Sequence, residues 1–550
     1  MSSRSEEMSV FAQTVMEQKY SHTKPDGSKE SWAEIARRVA KNVLRSADQP
    51  QSIVNEVAKL IEQRKFIPGG RYLYASGRPL HQVQNCLLLR AVDSREGWAD
   101  LMQKATMALM TGAGIGVDYS SVRPRGSVIH RTGGFATGPI ALMQMVNETG
   151  RGIMQGGSRR SAIWAGLKWS HPDIQEFITL KNWIPEVCAL KEKDFNFPAT
   201  MDGTNVSVQL DDEFFKAYHN EKNPRHAHAQ SVYWTTIRQM LKTGEPGFSV
   251  DTGDCKNETL RNACTEVTSE DDSDICNLGS INMARIESVE EMERVVELGT
   301  LFLMAGTRYS DVPYAKVDEV RSKNRRLGLG LMGLHEWLLR RGLTYAPSDN
   351  LRPYMEVYAK SGEVANRIAD EWGVSRPIKT RAIAPTGTIG IIAETTTGIE
   401  PVFCVAYKRR YAKGNVWNYQ YVIDPTAKNL IESGVSPDAI EDAYSLAEDV
   451  EKRVTFQAWL QTYVDHSISS TINLPAWGTE LNNEGKVQGF GKMLIQYLPK
   501  LRGITVYPDG ARNGQPLNPV KYTTAIKHLG EVFIESADIC DITRGGSCGS

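Results

Sequence analysis

Nothing in this chain would commit it to a membrane or to a polynucleotide. No stretch stays apolar and uncharged for the roughly 20 residues a spanning helix needs, and the opening MSSRSEEMSVFAQ lacks the apolar core of a signal peptide. A basic block is missing too: 64 Lys and Arg face 65 Asp and Glu, for a formal charge of -1. Without clustered positive charge there is no electrostatic footprint for nucleic acid. Cysteine is scarce, with eight in 550 residues, at 86, 188, 255, 264, 276, 404, 540 and 548. That is too few for a disulfide scaffold. No C-x-x-C pair and no cysteine–histidine pair at finger spacing occurs, which argues against a structural zinc site. We expect a soluble enzyme with no metal of its own, in the cytoplasm (the host's, if the source is viral), with most of its cysteines as thiols.

What is present points to a large α/β enzyme, and 41% hydrophobic residues suffice for a sizeable core. Trp32, Ile35, Val39 and Val43, then Ile53, Val57, Leu60 and Ile61, recur at helical spacing and predict a small helical region over 1–75. From 76 to 525 apolar runs alternate with amphipathic stretches and glycine turns, as in CLLLR at 86–90, GIGVDYSSV at 114–122 and RAIAPTGTIGIIA at 381–393. Ser288 and Glu291 predict a capping box ahead of a helix through Met304, and Leu331 to Leu339 reads as a second helix. A helix over 523–535 leads into a Gly/Ser-rich tail, 526–550, that holds Cys540 and Cys548. Such a tail is a poor place to bury a hydrophobe, so these two thiols read as a redox pair.

The chemistry concentrates in Asn262-Ala263-Cys264-Thr265-Glu266. In an extended segment, side chains two apart point the same way, so Asn262, Cys264 and Glu266 would converge on one ligand. An amide anchor, a thiol that can abstract hydrogen and a carboxylate that can take a proton suit the activation of an unreactive carbon. Pro385-Thr386-Gly387-Thr388 is a small-residue turn opening a helix, where backbone N–H groups can meet an anion. Gly328-Leu-Gly330-Leu-Met-Gly333 satisfies G-x-G-x-x-G but follows Arg-Ser-Lys-Asn-Arg-Arg rather than an apolar strand, so it is not read as a dinucleotide site.

The N-x-C-x-E run, the following Cys276-Asn-Leu-Gly-Ser-Ile-Asn282 and the upstream Asn85-Cys86 together resemble the ribonucleotide reductases. So do Gly156 to Arg160 with His171-Pro-Asp-Ile174, Arg325 to Gly333, Pro385 to Thr388 with Gly398 to Pro401, and Thr505-Val506-Tyr507. The resemblance implies a barrel of ten strands in two five-stranded parallel halves, with a finger loop through its centre. It also implies residue roles. Cys264, as a thiyl radical, takes the 3′ hydrogen of the ribose, Glu266 accepts the 3′ hydroxyl proton, and Asn262 holds the ribose hydroxyls. Cys86 and Cys276 reduce the 2′ position and finish as a disulfide, which Cys540 and Cys548 reopen before a thioredoxin-like protein resets them. The 385–388 turn holds the substrate's phosphates.

By the same resemblance, Met143 to Arg160 corresponds to the segment where a deoxynucleotide effector such as dTTP or dATP binds at a homodimer interface. Asn147 stands where the family usually has an aspartate, with Arg159 and Arg160 on the loop. Nothing resembles the ATP-cone module, so on/off control by ATP and dATP is not expected. The radical source divides the family. A single Tyr507 after Val506, in place of adjacent tyrosines, leans toward adenosylcobalamin. The alternative is a separate ferritin-like metal subunit acting through Tyr507. Arg544-Gly545-Gly546 is too slight a match to a glycyl-radical loop. A glycyl-radical enzyme on the same barrel, or a non-catalytic nucleotide-binding relative, are the competing functions. Cys188, Cys255 and Cys404 receive no role.

Overall fold

The computed structural model describes residues 8–131, 133–155, 159–194, 197–413, 416–511 and 517–533. Three helices, Val10–Lys19, Trp32–Arg45 and Gln51–Glu62, form the N-terminal region. Ser31 and Glu34 close a reciprocal capping box on the second, and Ile35, Val39 and Val43 are fully buried on the predicted face. Among the described residues no helix is long and apolar enough to cross a membrane.

Five parallel strands follow: β1 (Cys86–Arg90), β2 (Gly114–Asp118), β3 (Ile163–Lys168), β4 (Thr204–Asp211) and β5 (Gly247–Asp251), each paired to the next. A second parallel set contains β6 (Asp274–Asn282), β7 (Leu327–Met332), β8 (Thr471–Leu474) and β9 (Gly503–Pro508). Between β7 and β8 an extended run at 380–383 bonds to both sides. Ala382 N donates to Leu329 O at 3.1 Å, and Ile383 N to Ser467 O at 3.2 Å. The two sets meet antiparallel at two seams, β1 against β6 and β5 against β9. Backbone bonds thus link ten extended segments, in keeping with the ten-stranded barrel that the family resemblance implied.

Several local expectations are corrected. Leu331 and Met332 belong to strand β7, not to a helix, which is confined to Leu334–Leu339. The glycines of that run let strands pack closely: a Cβ on Gly328 would meet the Leu278 side chain at 2.4 Å, and one on Gly330 the Ala382 carbonyl at 2.6 Å. The helix after Ser288 runs from Val289 to Tyr309, and only half the box forms. Ser288 Oγ accepts from Glu291 N at 3.2 Å, while the Glu291 carboxylate turns to Glu287 N and Lys65. The helix predicted over 523–535 is a single stretch, Tyr522–Lys527, followed by strand Val532–Phe533. That strand, with Ala406–Lys413, Val416–Ile423 and Leu517–Pro519, builds a separate four-stranded sheet that the sequence reading missed.

Candidate active site

Strand β2 records the path of the finger. Its residues 114, 116 and 118 face successive levels of the loop, with each pair two residues apart and so roughly 6.6 Å apart along the strand. A Cβ on Gly114 would lie 3.2 Å from Ala263 at the tip, and one on Gly116 only 1.8 Å from the carbonyl oxygen of Arg261. Asp118 accepts from Thr259 Oγ1 at 2.7 Å. The finger is a short antiparallel ladder, Leu260–Arg261 against Thr268–Ser269. Leu260 and Val267 pack on Cys86, Leu88, Cys276 and Ala382 in an apolar cluster of their own. Gly116→Ala is therefore expected to displace the finger, lowering stability by about 1–3 kcal/mol as overpacking does, with a fall in the unfolding midpoint as the check.

The tip is a turn and not the extended segment that the spacing suggested. Thr265 N donates to Asn262 O at 3.1 Å, and Thr265 takes a left-handed φ of 68°. Asn262 closes the turn from both sides, since its N donates to Val267 O at 3.3 Å and its Oδ1 accepts from Val267 N at 3.0 Å. The side chain read as a substrate anchor thus also shapes the loop. Convergence survives by a different geometry, because Glu266, Cys276 and Cys264 are all electrostatic neighbours of the Cys86 thiol, with the Asn262 amide beside it.

Cys86 and Cys276 sit directly opposite each other on the antiparallel β1–β6 seam. Cross-strand partners have Cα atoms about 4.5–5.5 Å apart, inside the range a disulfide accepts. Both are buried as thiols. Burial pushes Cys86 well up, and Glu266, Cys276 and Cys264 push it the same way. Burial, with Asp274, does likewise for Cys276. Each therefore carries its proton at neutral pH. Cys264 at the turn is only half-buried, so it alone of the three can be approached from outside.

Glu266 is 1% exposed, and burial raises its carboxyl to about 7 against the lowering pull of its own backbone N–H and the Asn262 side chain. Its Oε2 is buried without a protein hydrogen-bond partner. A buried acceptor left unmatched by protein calls for a donor from a ligand or water.

The turn at 385–388 does open a helix. Thr386 adopts a left-handed φ of 53° at the N-terminus of helix Gly387–Ala393, and its Oγ1 accepts from Gly398 N at 2.8 Å. The first intrahelical bond comes from Gly390 N to Thr386 O. The N–H groups of Gly387, Thr388 and Ile389 thus stand as first-turn donors beside exposed Pro385 and Gly387. Ser467 ties this region to the finger, since its O accepts from Ile383 N and its N donates to Glu266 O at 2.8 Å.

Other predicted residues stand differently. Asn147, on helix Pro139–Gly152, is buried with its amide engaged internally. Its Oδ1 accepts from Gly203 N at 3.1 Å and Thr204 Oγ1 at 2.8 Å, while Nδ2 donates to Glu148. It offers no idle amide to a nucleotide. Arg159 and Arg160 form a two-residue strand against Met154–Gln155. Tyr507 is half-buried on β9, beside buried Val506. Cys540 and Cys548 lie outside the described residues. Cys404 is buried, and Cys188 and Cys255 are half-buried.

Sequence motifs gave no role to the charged residues at the finger's root, Asp251, Glu258, Arg261, Asp274, Arg326, Lys379 and Arg502, which are spread from 251 to 502. Their one visible signal was that so many charges stand next to apolar strands.

The profile for the ribonucleotide reductase barrel domain matches residues 84–239, 224–376 and 363–507, and that for the ribonucleotide reductase all-alpha domain matches 6–81. A vitamin B12-dependent ribonucleoside-diphosphate reductase of Mycobacterium tuberculosis (strain CDC 1551 / Oshkosh) is 28% identical over 93% of this chain and 81% of its own length. One of Thermoplasma acidophilum is 26% identical over 84% and 66%. A putative adenosylcobalamin-dependent ribonucleoside-triphosphate reductase of Mycobacterium phage D29 is 24% identical over 90% and 92%. With matched domains covering most of the molecule, the chain belongs to the ribonucleotide reductase family.

Proposed function

We propose that the chain reduces the 2′ carbon of ribonucleotides by thiyl-radical chemistry. The observation that carries this is the unmatched buried Oε2 of Glu266 beside two sealed, protonated thiols and one approachable thiol. The Pro385–Thr388 turn holds the phosphates, and the Asn262 amide orients the ribose hydroxyls. Cys264, as a radical, takes the 3′ hydrogen while Glu266 Oε2 accepts the 3′ hydroxyl proton. A proton from the Cys86–Cys276 pair leaves with the 2′ hydroxyl as water. As its S–S bond forms, the pair delivers two electrons and its second hydrogen to the 2′ carbon, Glu266 returns its proton to the 3′ oxygen, and Cys264 returns hydrogen to the 3′ carbon. Cys540 and Cys548 then reopen the disulfide by thiol exchange, with a thioredoxin-like protein as final reductant.

Adenosylcobalamin fits as the radical source, and when bound it supplies the one-electron abstraction of hydrogen from Cys264. Three observations support it over a separate metal subunit. Cys264 is approachable, apolar Val506 sits buried where a second tyrosine would stand, and the relatives above are named for this cofactor. A deoxynucleotide effector is assigned to the segment bearing Arg159 and Arg160, with Asn147 at the neighbouring helix Pro139–Gly152. Exposed Met107, Met110 and Met145 on helices Arg95–Thr111 and Pro139–Gly152 form the face we assign to a homodimer.

Purified chain given dithiothreitol, CDP or CTP and adenosylcobalamin is expected to release the deoxynucleotide. Product only after addition of a metal-loaded second protein transfers the radical source to Tyr507 and that subunit. No product under either condition overturns the reading.

A further inference from the structure

The root of the finger is set in charge. Glu258 stands just before one leg and accepts from Thr268 Oγ1 on the other at 2.9 Å. The same carboxylate meets Arg326 at 3.4 Å, Arg502 at 3.3 Å and Lys379. These three cations lie at or just before β7, β9 and the extended run between β7 and β8, so one side chain ties both finger legs to three segments of the second half of the barrel. Two further carboxylates extend the tie. Asp251 at the end of β5 holds Arg261 of the finger at 2.6 Å, with Arg502 at 3.7 Å. Asp274 accepts from Ser269 Oγ at 2.7 Å, Arg326 Nε at 2.6 Å and Asn324 Nδ2 at 2.8 Å. All but the half-buried Lys379 are less than a tenth exposed.

The finger's own apolar contribution is small, essentially Leu260 and Val267. Its register inside the barrel must therefore come from elsewhere. Burial alone would raise the Glu258 pKa, but Lys379, Arg502 and Arg326 outweigh it and hold the carboxyl at about 2, so the charge is kept across the physiological range. An ionic cluster is strongly directional, and a thiol that must reach a single carbon–hydrogen bond needs its loop fixed along the barrel axis.

We propose that Glu258 is a positioning residue that sets how far Cys264 projects into the active site, by locking the root of the finger to the barrel. It touches no reacting atom. The inference rests on the reading of Cys264 as the hydrogen abstractor, but its structural part stands without it.

The test is hydrogen–deuterium exchange on the full chain, without substrate or cofactor, comparing wild type with Glu258→Gln. Exchange across residues 260–269 is expected to rise by about tenfold or more while β1 to β5 hold their protection. In parallel, alkylation of Cys264 by iodoacetamide should accelerate relative to that of Cys86. In turnover, kcat should fall by about 10- to 100-fold with KM within about twofold, because the phosphate turn is untouched. If Glu258→Gln does not accumulate as folded protein, Lys379→Met removes one donor and should give the same finger-specific change. Unchanged exchange at 260–269, or a loss of protection spread evenly over the barrel, overturns the proposal. A chain that shows the finger-specific change but reduces no nucleotide with either radical source leaves the cluster intact and removes the proposed function instead.

Discussion

Cys264→Ser is expected to abolish ribonucleotide reduction, by at least about four orders of magnitude in kcat, the scale on which residues that act as one unit are lost. Serine fits the turn, since Thr265 and Asn262 make the backbone bonds that shape it. What changes is the covalent bond to hydrogen that must be broken and remade at each turnover. The O–H bond is much stronger than S–H, so a hydroxyl neither yields its hydrogen to the radical source nor relays it to a ribose carbon. Substrate affinity should survive, because Pro385 to Thr388 and Asn262 are unaltered. Calorimetric titration with CDP or CTP beside a turnover assay separates the two effects. A Cys264→Ser protein that still forms deoxynucleotide ends the assignment of this residue.

How much could be seen beforehand depends on whether the cause was local. Trp32, Ile35, Val39 and Val43 followed from periodicity alone, because a helix's buried face is set by residues three and four apart. The N-x-C-x-E run was legible as chemistry, yet its shape was not. An alternating pattern implies a strand only where the ladder continues, and here it stops at Arg261, so Asn262 and the positive φ of Thr265 make a turn instead. Leu331 and Met332 looked helical because a glycine-rich apolar run carries no period, and packing against Leu278 and Ala382 decided for a strand. The tie of Glu258 to Lys379, Arg326 and Arg502 was invisible, since contacts 68 to 244 positions apart leave no spacing to read. Asn147 shows the converse: a position matched by resemblance turned out to be bonded into β4 from within.

Glu266→Gln should separate catalysis from stability, and pH gives the sign of each. The carboxyl of Glu266 sits at about 7 because burial outweighs the hydrogen bonds that favour its charge. Only the ionised form can take the 3′ hydroxyl proton, so wild-type kcat/KM should climb as pH rises through 7 and fade below it. Glutamine cannot accept a proton at any pH, and the loss should be about 10²- to 10⁴-fold above pH 7, the usual worth of a general base, with the pH dependence flattened. Stability runs the other way. A folded pKa raised above the unfolded value of roughly 4.3 stabilises the fold most below that value, and the benefit is lost as pH rises through 7. Glutamine escapes this penalty, so the variant should gain on wild type by about 2–3 kcal/mol between pH 5 and pH 8. Urea midpoints of both proteins at the two pH values measure it. Parallel curves would show that Glu266 is not buried as a near-neutral acid. A widening gap, with activity gone, would show a carboxylate kept in the barrel at the expense of stability because the reaction needs a proton acceptor there.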